Sequence, residues 1–288
     1  MAGLLAELRG QVNNWKPDIL HAHQRREALA AYAVGRMSRS HTVEHVHNEL
    51  QSRAFKSLSF RSEHVFCVSE SIKLMAITDF GVDPSRITVV DNVPVNVPDR
   101  LRPVREDRAA APELRILAVG RVDKQKDPHR FVRVVRAISR LRTVRATWIG
   151  DGPLLLEMQA ATTTDDVVSF TGPSFDIARA IEGADALLIT SSWEGMPLVA
   201  LEALAAGTPV IATAVGGLAE LLAGERCGLA LDPVTTDDDF AAAVVQLLEN
   251  HPVLDAIRQR GRDIVMRRYN PDVAFAPILQ MYAALTRS

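Results

Sequence analysis

TSSWEGMPLVALEALAAGTPVIATAVGGLAELL, residues 190–222, places two carboxylates, a Gly-Met-Pro turn and a helix start within one short path. The apolar run 184–189 just before it reads as a buried strand. Residues 191–196 make a polar turn, and Pro197, with its fixed φ and missing N–H, suits a first helical position. The helix is predicted to run from Pro197 to about residue 206. There Gly207 supplies a left-handed stop, and 209–213, rich in β-branched residues, resumes as a strand.

The helix start says what this stretch can hold. Backbone N–H groups around residues 196–199 lack partners within the helix and, with its dipole, form a site for phosphate or another anion. Glu194 precedes the start, and Glu202 lies five residues after Pro197, about 7.5 Å further along the axis. Two carboxylates flanking an anion site fit a ligand with hydroxyls at both ends and phosphates between, the form of a nucleoside diphosphate sugar. A strand-turn-helix in which Glu202 is merely solvated accounts for the same pattern. As a turn carboxylate serving a ligand, Glu194 is expected to be largely exposed without one.

Outward from this stretch the chain alternates strand and helix in two blocks. Residues 1–97 read as a helix to about residue 14, strand 18–22, helix 25–37, strand 41–46, strand 64–68, helix 70–79 and strand 86–90. Such alternation with short links predicts a parallel sheet covered by helices. Residues 98–112, rich in proline and charge, are the expected linker. The second block, 113–268, opens with strand 114–119, helix 128–141, strand 144–149, helix 153–161 and strand 167–170. After the opening stretch it continues with a short strand near 228–231, a capped helix from Asp237 and a helix near 252–268. One further helix is expected over 271–286, with Phe275, Ile278, Leu279, Met281, Tyr282 and Leu285 at packing spacings.

Composition narrows the classes. The 288 residues are 47% hydrophobic and 24% charged, as in a soluble globular protein with a sizeable core. Thirty-three basic against 35 acidic residues give a net charge of −2 and no global reason to expect nucleic acid. No run approaches the roughly 20 apolar residues that span a bilayer, and the start lacks the pattern of a secretory signal, so a cytoplasmic location is the default. Cys67 and Cys227, far apart and in apolar company, read as buried reduced thiols.

The motif WEGMPLVALEALAAGTPVIAT followed by VGGLAELL, preceded in order by ILAVGRVDKQKDP and WIGDGP and followed by YNPDVAFAPILQMYAAL, closely resembles the signature of retaining glycosyltransferases of family four. The similarity covers nearly the whole chain. It implies the GT-B fold, two Rossmann-like domains facing across a cleft, with the helix of 269–288 crossing back to the first. It also implies transfer of a sugar from a nucleoside diphosphate sugar to a glycan, lipid-linked or small-molecule acceptor, with retained configuration and no cofactor. By this resemblance Glu194 meets donor sugar hydroxyls, Glu202 the ribose, and Arg121 and Lys126 the diphosphate. The backbone of Gly195, Met196, Pro197 and Leu198 meets the phosphate-sugar junction, Gly216 and Gly217 permit close approach, and His47 is the active-site histidine. Asp127 stands where relatives often have glycine. Relatives also carry an opening strand, a glycine-rich loop and further units before the segment matching KPDILHAH, which here begins at Lys16. An incomplete first domain, with weak transfer and self-association, is therefore expected.

Other chemistry has less support. Arg121 and Lys126 follow a parallel strand, where α/β sheets bind ligands, yet they also fit a solvated charge cluster with Asp123, Lys124 and Asp127. HAH at 21–23 and EHVHN at 44–48 each follow a strand, but neither pair has the carboxylate or cysteine partners of a good zinc site, so no metal is expected. His23 could line the acceptor cleft or serve structure alone. Asp237, Asp238 and Asp239 contain the Asp-x-Asp pattern of metal-dependent transferases, but here they begin a helix and cap it. No complete G-x-G-x-x-G, P-loop or G-x-S-x-G occurs. Arg25, Arg36 and Arg39 share one side of a helix whose other side carries Leu29, Ala33 and Met37; that basic face would meet either anionic lipid at the inner membrane surface or water. A sugar-nucleotide epimerase of similar fold, and a chain that binds donor with little turnover, remain the alternatives.

Overall fold

A computed structural model of the protein describes residues 2–50, 52, 56–95, 97, 113–164, 167–174 and 176–287. The expected linker, 98–112, lies outside the described residues. The chain divides into two units, Met1–Asn92 with Pro271–Ser288, and Val93–Asn270.

The first unit runs α1 (Ala2–Trp15), β1 (Ile19–Ala22), α2 (Arg25–Ser38), β2 (His41–Val46), β3 (His64–Cys67), α3 (Glu70–Phe80) and β4 (Ile87–Val89). Its four strands pair in parallel in the order β1-β2-β3-β4. Ser69 starts α3 by accepting from the Ile72 N–H, and Gly81 ends it at φ 71°. On one face of the sheet Ala22, Ala28 and Ala31 pack with Leu8 and Leu20. The buried side of α2 comprises Ala28, Ala30, Ala31, Val34 and Gly35, while Met37 is exposed. The expected stripe of Leu29, Ala33 and Met37 is thus displaced by one position. Small residues let the helix approach closely: a Cβ on Gly35 would stand 2.5 Å from Thr42 Cγ2.

The opposite face is covered from the far end of the sequence. The helix expected over 271–286 is two, α11 (Pro271–Ala274) and α12 (Ala276–Leu285). Pro277 explains the break, because it has no N–H to donate and its ring crowds the carbonyl four residues earlier. Ile278, Met281, Tyr282 and Leu285 of α12 pack with Ile19 around Val43, Phe66 and Val90. Leu279 and Phe275, expected to pack as well, are exposed.

The second unit continues β5 (Leu114–Val119), α4 (Pro128–Ser139), β6 (Val144–Ile149), α5 (Leu155–Ala161), β7 (Val168–Gly172), α6 (Ile177–Gly183), β8 (Ala186–Ile189), α7 (Leu198–Ala206), β9 (Val210–Thr213), α8 (Gly216–Ala219), β10 (Leu229–Leu231), α9 (Asp237–Glu249) and α10 (His251–Arg268). The sheet is parallel throughout, in the order β10-β9-β8-β5-β6-β7. After β5 the chain builds outward on one side, returns to lay β8 on the other, and builds outward again. This is the dinucleotide-fold order, and its reversal falls between β5 and β8, where loops leave the strand ends in opposite directions and open a crevice. Phe131, Trp148 and Phe170 centre the core, with Phe131 edge-on to Trp148 and the indole stacked on Phe170 at 5.6 Å. Each such ring contributes about 1.5–3 kcal/mol by burial. Thr236 caps α9 by accepting from the Asp239 N–H at 3.1 Å, and Asp237 and Asp238 of the acidic run pair with Arg133 of α4 and with Arg140 just beyond its end.

Candidate functional site

The loops after β5 and β8, on either side of the reversal, are tied together. Thr190 Oγ1 donates to the carbonyls of Lys126 and Asp127 at 3.1 Å each, the Ser192 N–H donates to the Gln125 carbonyl at 2.8 Å, and Gln125 Nε2 donates to the Trp193 carbonyl at 3.0 Å. Asp123 Oδ1 accepts from the N–H groups of Gln125 and Lys126 and turns the first loop. Asp127 then adopts φ 47° and caps α4 by accepting from the Arg130 N–H at 3.0 Å. Left-handed backbone accounts for a glycine preference here, and aspartate is among the side chains that tolerate it.

Within this frame Lys126 and Glu194 meet. Lys126 Nζ donates to Glu194 Oε1 at 2.5 Å, and the Ser191 hydroxyl donates to the same oxygen at 2.6 Å. Glu194 is only 2% exposed, contrary to the open turn carboxylate expected. The cause is that ion pair: a carboxylate this deep needs an opposite charge and a donor, and Lys126 and Ser191 provide them. Arg121 stands apart, its side chain 73% exposed and its Nε 3.4 Å from Asp123 Oδ2.

Two glycines set how close the strand ends come. Gly150 and Gly152, in the turn after β6, have φ 152° and 158°, and Cβ atoms there would stand 2.0 Å from the Gly120 carbonyl oxygen and 2.5 Å from that of Val122. The Val122 N–H donates to Asp151 at 2.9 Å, and the Trp148 indole donates to Gly120 at 3.0 Å. Lys126 therefore lies along a Gly120 held from below.

Beyond Glu194 the turn enters α7 through Pro197, which gives the helix no side-chain cap, and the Ala200 N–H donates to the Pro197 carbonyl at 3.1 Å. Met196 is buried and Leu198 exposed. Gly216 turns at φ 49°, and the Gly217 N–H donates to the Gly195 carbonyl at 2.8 Å, bringing the α8 start against the same turn. Glu202 lies on α7, half-buried. The other end of α7 is fastened by α10: Arg258 Nε donates to the Gly207 carbonyl and Arg262 Nη1 to that of Ala205, each at 2.6 Å. Cations on these last carbonyls complement the helix dipole. Lys126, Glu194, Gly195 and Gly217 are thus brought together. Ser191 and Gln125 complete the arrangement; both lie inside the quoted stretches, where no role is assigned to them.

His47 lies in the first unit, among histidines. Its Nε2 is 3.0 Å from His23 Nδ1. The rings of His21, His23, His45 and His47 stack side by side, with neighbouring centroids 4.4–5.6 Å apart, and His21 Nδ1 is hydrogen-bonded with the Tyr282 hydroxyl of α12. Burial, with neighbouring imidazoles adding to it, lowers His21 to about 4 and His45 to about 3, and burial followed by His23 also lowers His47. His21, His45 and His47 are therefore neutral at pH 7. Glu44, buried on the alternate face, is raised to about 7 by desolvation. A cavity of about 420 Å³ opens here, lined by His23, Arg25, Glu44, His45, His47 and Phe60 among others. Arg25 donates to Ser59 Oγ at 2.8 Å and lies over the Phe80 ring, so it turns inward rather than joining Arg36 and Arg39 in a basic stripe.

A doubly wound second unit and a parallel-sheet first unit make up the α/β architecture of the GT-B fold. A family model described as "Glycosyl transferases group 1" matches residues 113–250, and one described as "Glycosyltransferase Family 4" matches residues 1–93. The chain belongs to the family-four glycosyltransferases and is an enzyme of that kind. It is 26% identical to the glycogen synthase of Mycobacterium tuberculosis over 310 residues, covering 99% of this chain and 73% of that protein. It is 35% identical to the D-inositol 3-phosphate glycosyltransferase of Mycobacteroides abscessus over 183 residues, 58% of this chain and 40% of the relative. Among solved structures it resembles HepE of Anabaena in complex with UDP and glucose, with a TM-score of 0.81 and 18% identity, over 97% of this chain and 81% of that one. Among the described residues, no helix is long and apolar enough to cross a membrane.

Proposed function

We propose that the protein transfers a sugar from a nucleoside diphosphate sugar to an acceptor hydroxyl with retention of configuration. The observation that carries this is the Lys126–Glu194 pair at the sheet reversal, immediately ahead of the uncapped start of α7. Lys126 and, from the open side, Arg121 neutralise the diphosphate as it departs, a task other transferases give to a metal ion. Glu194, its Oε1 occupied by Lys126 and Ser191, offers Oε2 to donor sugar hydroxyls. Glu202 holds the ribose, and the backbone of Gly195 to Leu198, with Gly216 and Gly217 alongside, receives the junction of phosphate and sugar. His47 serves the sugar from the first domain, which supplies the acceptor side. The acceptor oxygen bonds to the anomeric carbon on the face the diphosphate leaves. The carbon–oxygen bond to phosphate breaks with its electron pair going to phosphate, and the acceptor proton follows to that oxygen.

UDP-glucose is the first donor to test, since solved structures of HepE hold UDP, and UDP-glucose in one of them. A donor at 100 times its dissociation constant adds about 2.7 kcal/mol to stability, enough to rank sugar nucleotides by thermal shift. The best binder should release nucleoside diphosphate when acceptor hydroxyls are supplied, without added magnesium or manganese, and give a product of the donor's anomeric configuration. An isomerised sugar nucleotide with no diphosphate released would instead mark an epimerase. Strict dependence on added magnesium would overturn the role given to Arg121 and Lys126.

A further inference from the structure

We propose that His21, His23 and His45 form a binding site for a transition-metal cation of the zinc class at the carboxyl ends of β1 and β2. Neither histidine pair is a site by itself; the sheet joins them. β1 and β2 run parallel with Ala22 opposite Glu44, so the next residue, His23, falls opposite His45. Side chains alternate along a strand, which puts His21, His23 and His45 on one face. One nitrogen from each can be chosen so that all lie within 4.8 Å of one another. Ligands about 2.0–2.1 Å from a tetrahedral zinc are roughly 3.3 Å apart. Closing that gap requires the stacked rings, 13–27° from parallel, to swing so that their edges converge.

What points to a ligand is the set of nitrogens without partners. His45 is 7% exposed, and among the described residues neither of its ring nitrogens has a hydrogen-bond partner; His21 Nε2 is likewise buried and unpartnered among them. Leaving such groups unsatisfied is costly in a folded protein, and the few that persist call for a cause. A cation that accepts their lone pairs supplies one. The nitrogens on the other edges are already held. His21 Nδ1 meets the Tyr282 hydroxyl, and His23 Nδ1 meets His47 Nε2, the outer contacts that fix tautomer and ring direction around metal-ligating histidine. His21 thus presents Nε2 inward while its Nδ1–H donates to Tyr282.

The donor set selects the cation. Three imidazoles without a carboxylate or carbonyl oxygen suit zinc, nickel, copper or cobalt and disfavour magnesium and calcium. His23 and His45 also line the cavity of about 420 Å³, from which water or another donor atom can complete a fourth position. This site is separate from the handling of the diphosphate and stands whether or not the sugar-transfer proposal holds.

The test uses the full chain without a histidine tag, stripped with chelator and dialysed. Zinc binding is followed by calorimetry, and cobalt as a probe by its visible absorption. One zinc per chain is expected, with a melting temperature that rises with zinc concentration, four-coordinate cobalt bands, and no response to magnesium. His23→Ala, which changes an exposed side chain and spares the core, should weaken zinc binding at least tenfold, and Tyr282→Phe should weaken it by a smaller factor. His41→Ala, outside the cluster, should leave it unchanged. No stoichiometric zinc binding by the unsubstituted chain, or zinc affinity unaltered in His23→Ala, overturns the proposal. If His45→Phe fails to fold, His23→Ala and the cobalt spectrum still decide.

Discussion

The carboxyl ends of the two sheets treat buried polar groups in opposite ways. At the reversal of the second domain, Lys126, Glu194 and Ser191 satisfy one another, so the charges are in place and neutralised before anything binds. At the end of the first sheet one face carries imidazoles alone, with the buried Glu44 on the other face, and burial keeps His21, His45 and His47 uncharged. A paired site is prepared for a ligand with charge to exchange. A cluster of neutral lone pairs can take a proton, a donor hydrogen or a cation. The same parallel-sheet geometry therefore yields two kinds of readiness, decided by the side chains that neighbouring strands bring into register.

The contrast breaks first at Glu194. Glu194→Gln keeps the shape but removes the charge, and sugar transfer should fall by about 10²–10³-fold, as when a transition-state contact is lost; a rate assay within tenfold of the unsubstituted protein would remove Glu194 from the site. Gly150→Ala tests the frame beneath Lys126, since a Cβ 2.0 Å from the Gly120 oxygen and a positive φ together should cost about 3 kcal/mol in chemical unfolding. Lys126→Met should weaken nucleoside diphosphate binding about 50-fold, roughly the worth of a charge-assisted contact. Arg121→Ala, exposed and paired with Asp123, should weaken the same calorimetric affinity less than about tenfold. Equal losses at the two positions would erase the distinction between paired and open charge. The smallest effect concerns the thiols: Cys67 and Cys227 are buried, which pushes both up to about 12, so alkylation at pH 8 should proceed only as fast as unfolding.

Much of the fold was legible locally. Strands 41–46, 114–119 and 144–149 read to the residue because apolar, β-branched runs end at turn residues, and α7 was marked by Pro197 and Gly207. What escaped depends on partners distant in sequence. Glu194 read as exposed because the lysine that allows its burial lies 68 positions away. Each histidine pair lacks further ligands within its own segment, and only the register of β1 with β2 sets the two pairs side by side. The buried face of α2 differs from the expected one by one position because alanine and glycine line it, whereas the larger apolar side chains of Leu29 and Met37 mark the neighbouring side. Helix α6, which Asp176 caps by accepting from the Arg179 N–H, had its signal in that aspartate, but its seven residues were too few for a clear period.

The seating of α12 governs the order in which the molecule can be made. Val43, Phe66 and Val90 have their cover in Ile278, Met281, Tyr282 and Leu285, side chains that a ribosome adds only after the entire second domain. The sheet whose strands come earlier in the sequence is thus closed last. Until then one apolar face of its sheet stays open in the nascent chain, a state in which chaperone capture competes with completion.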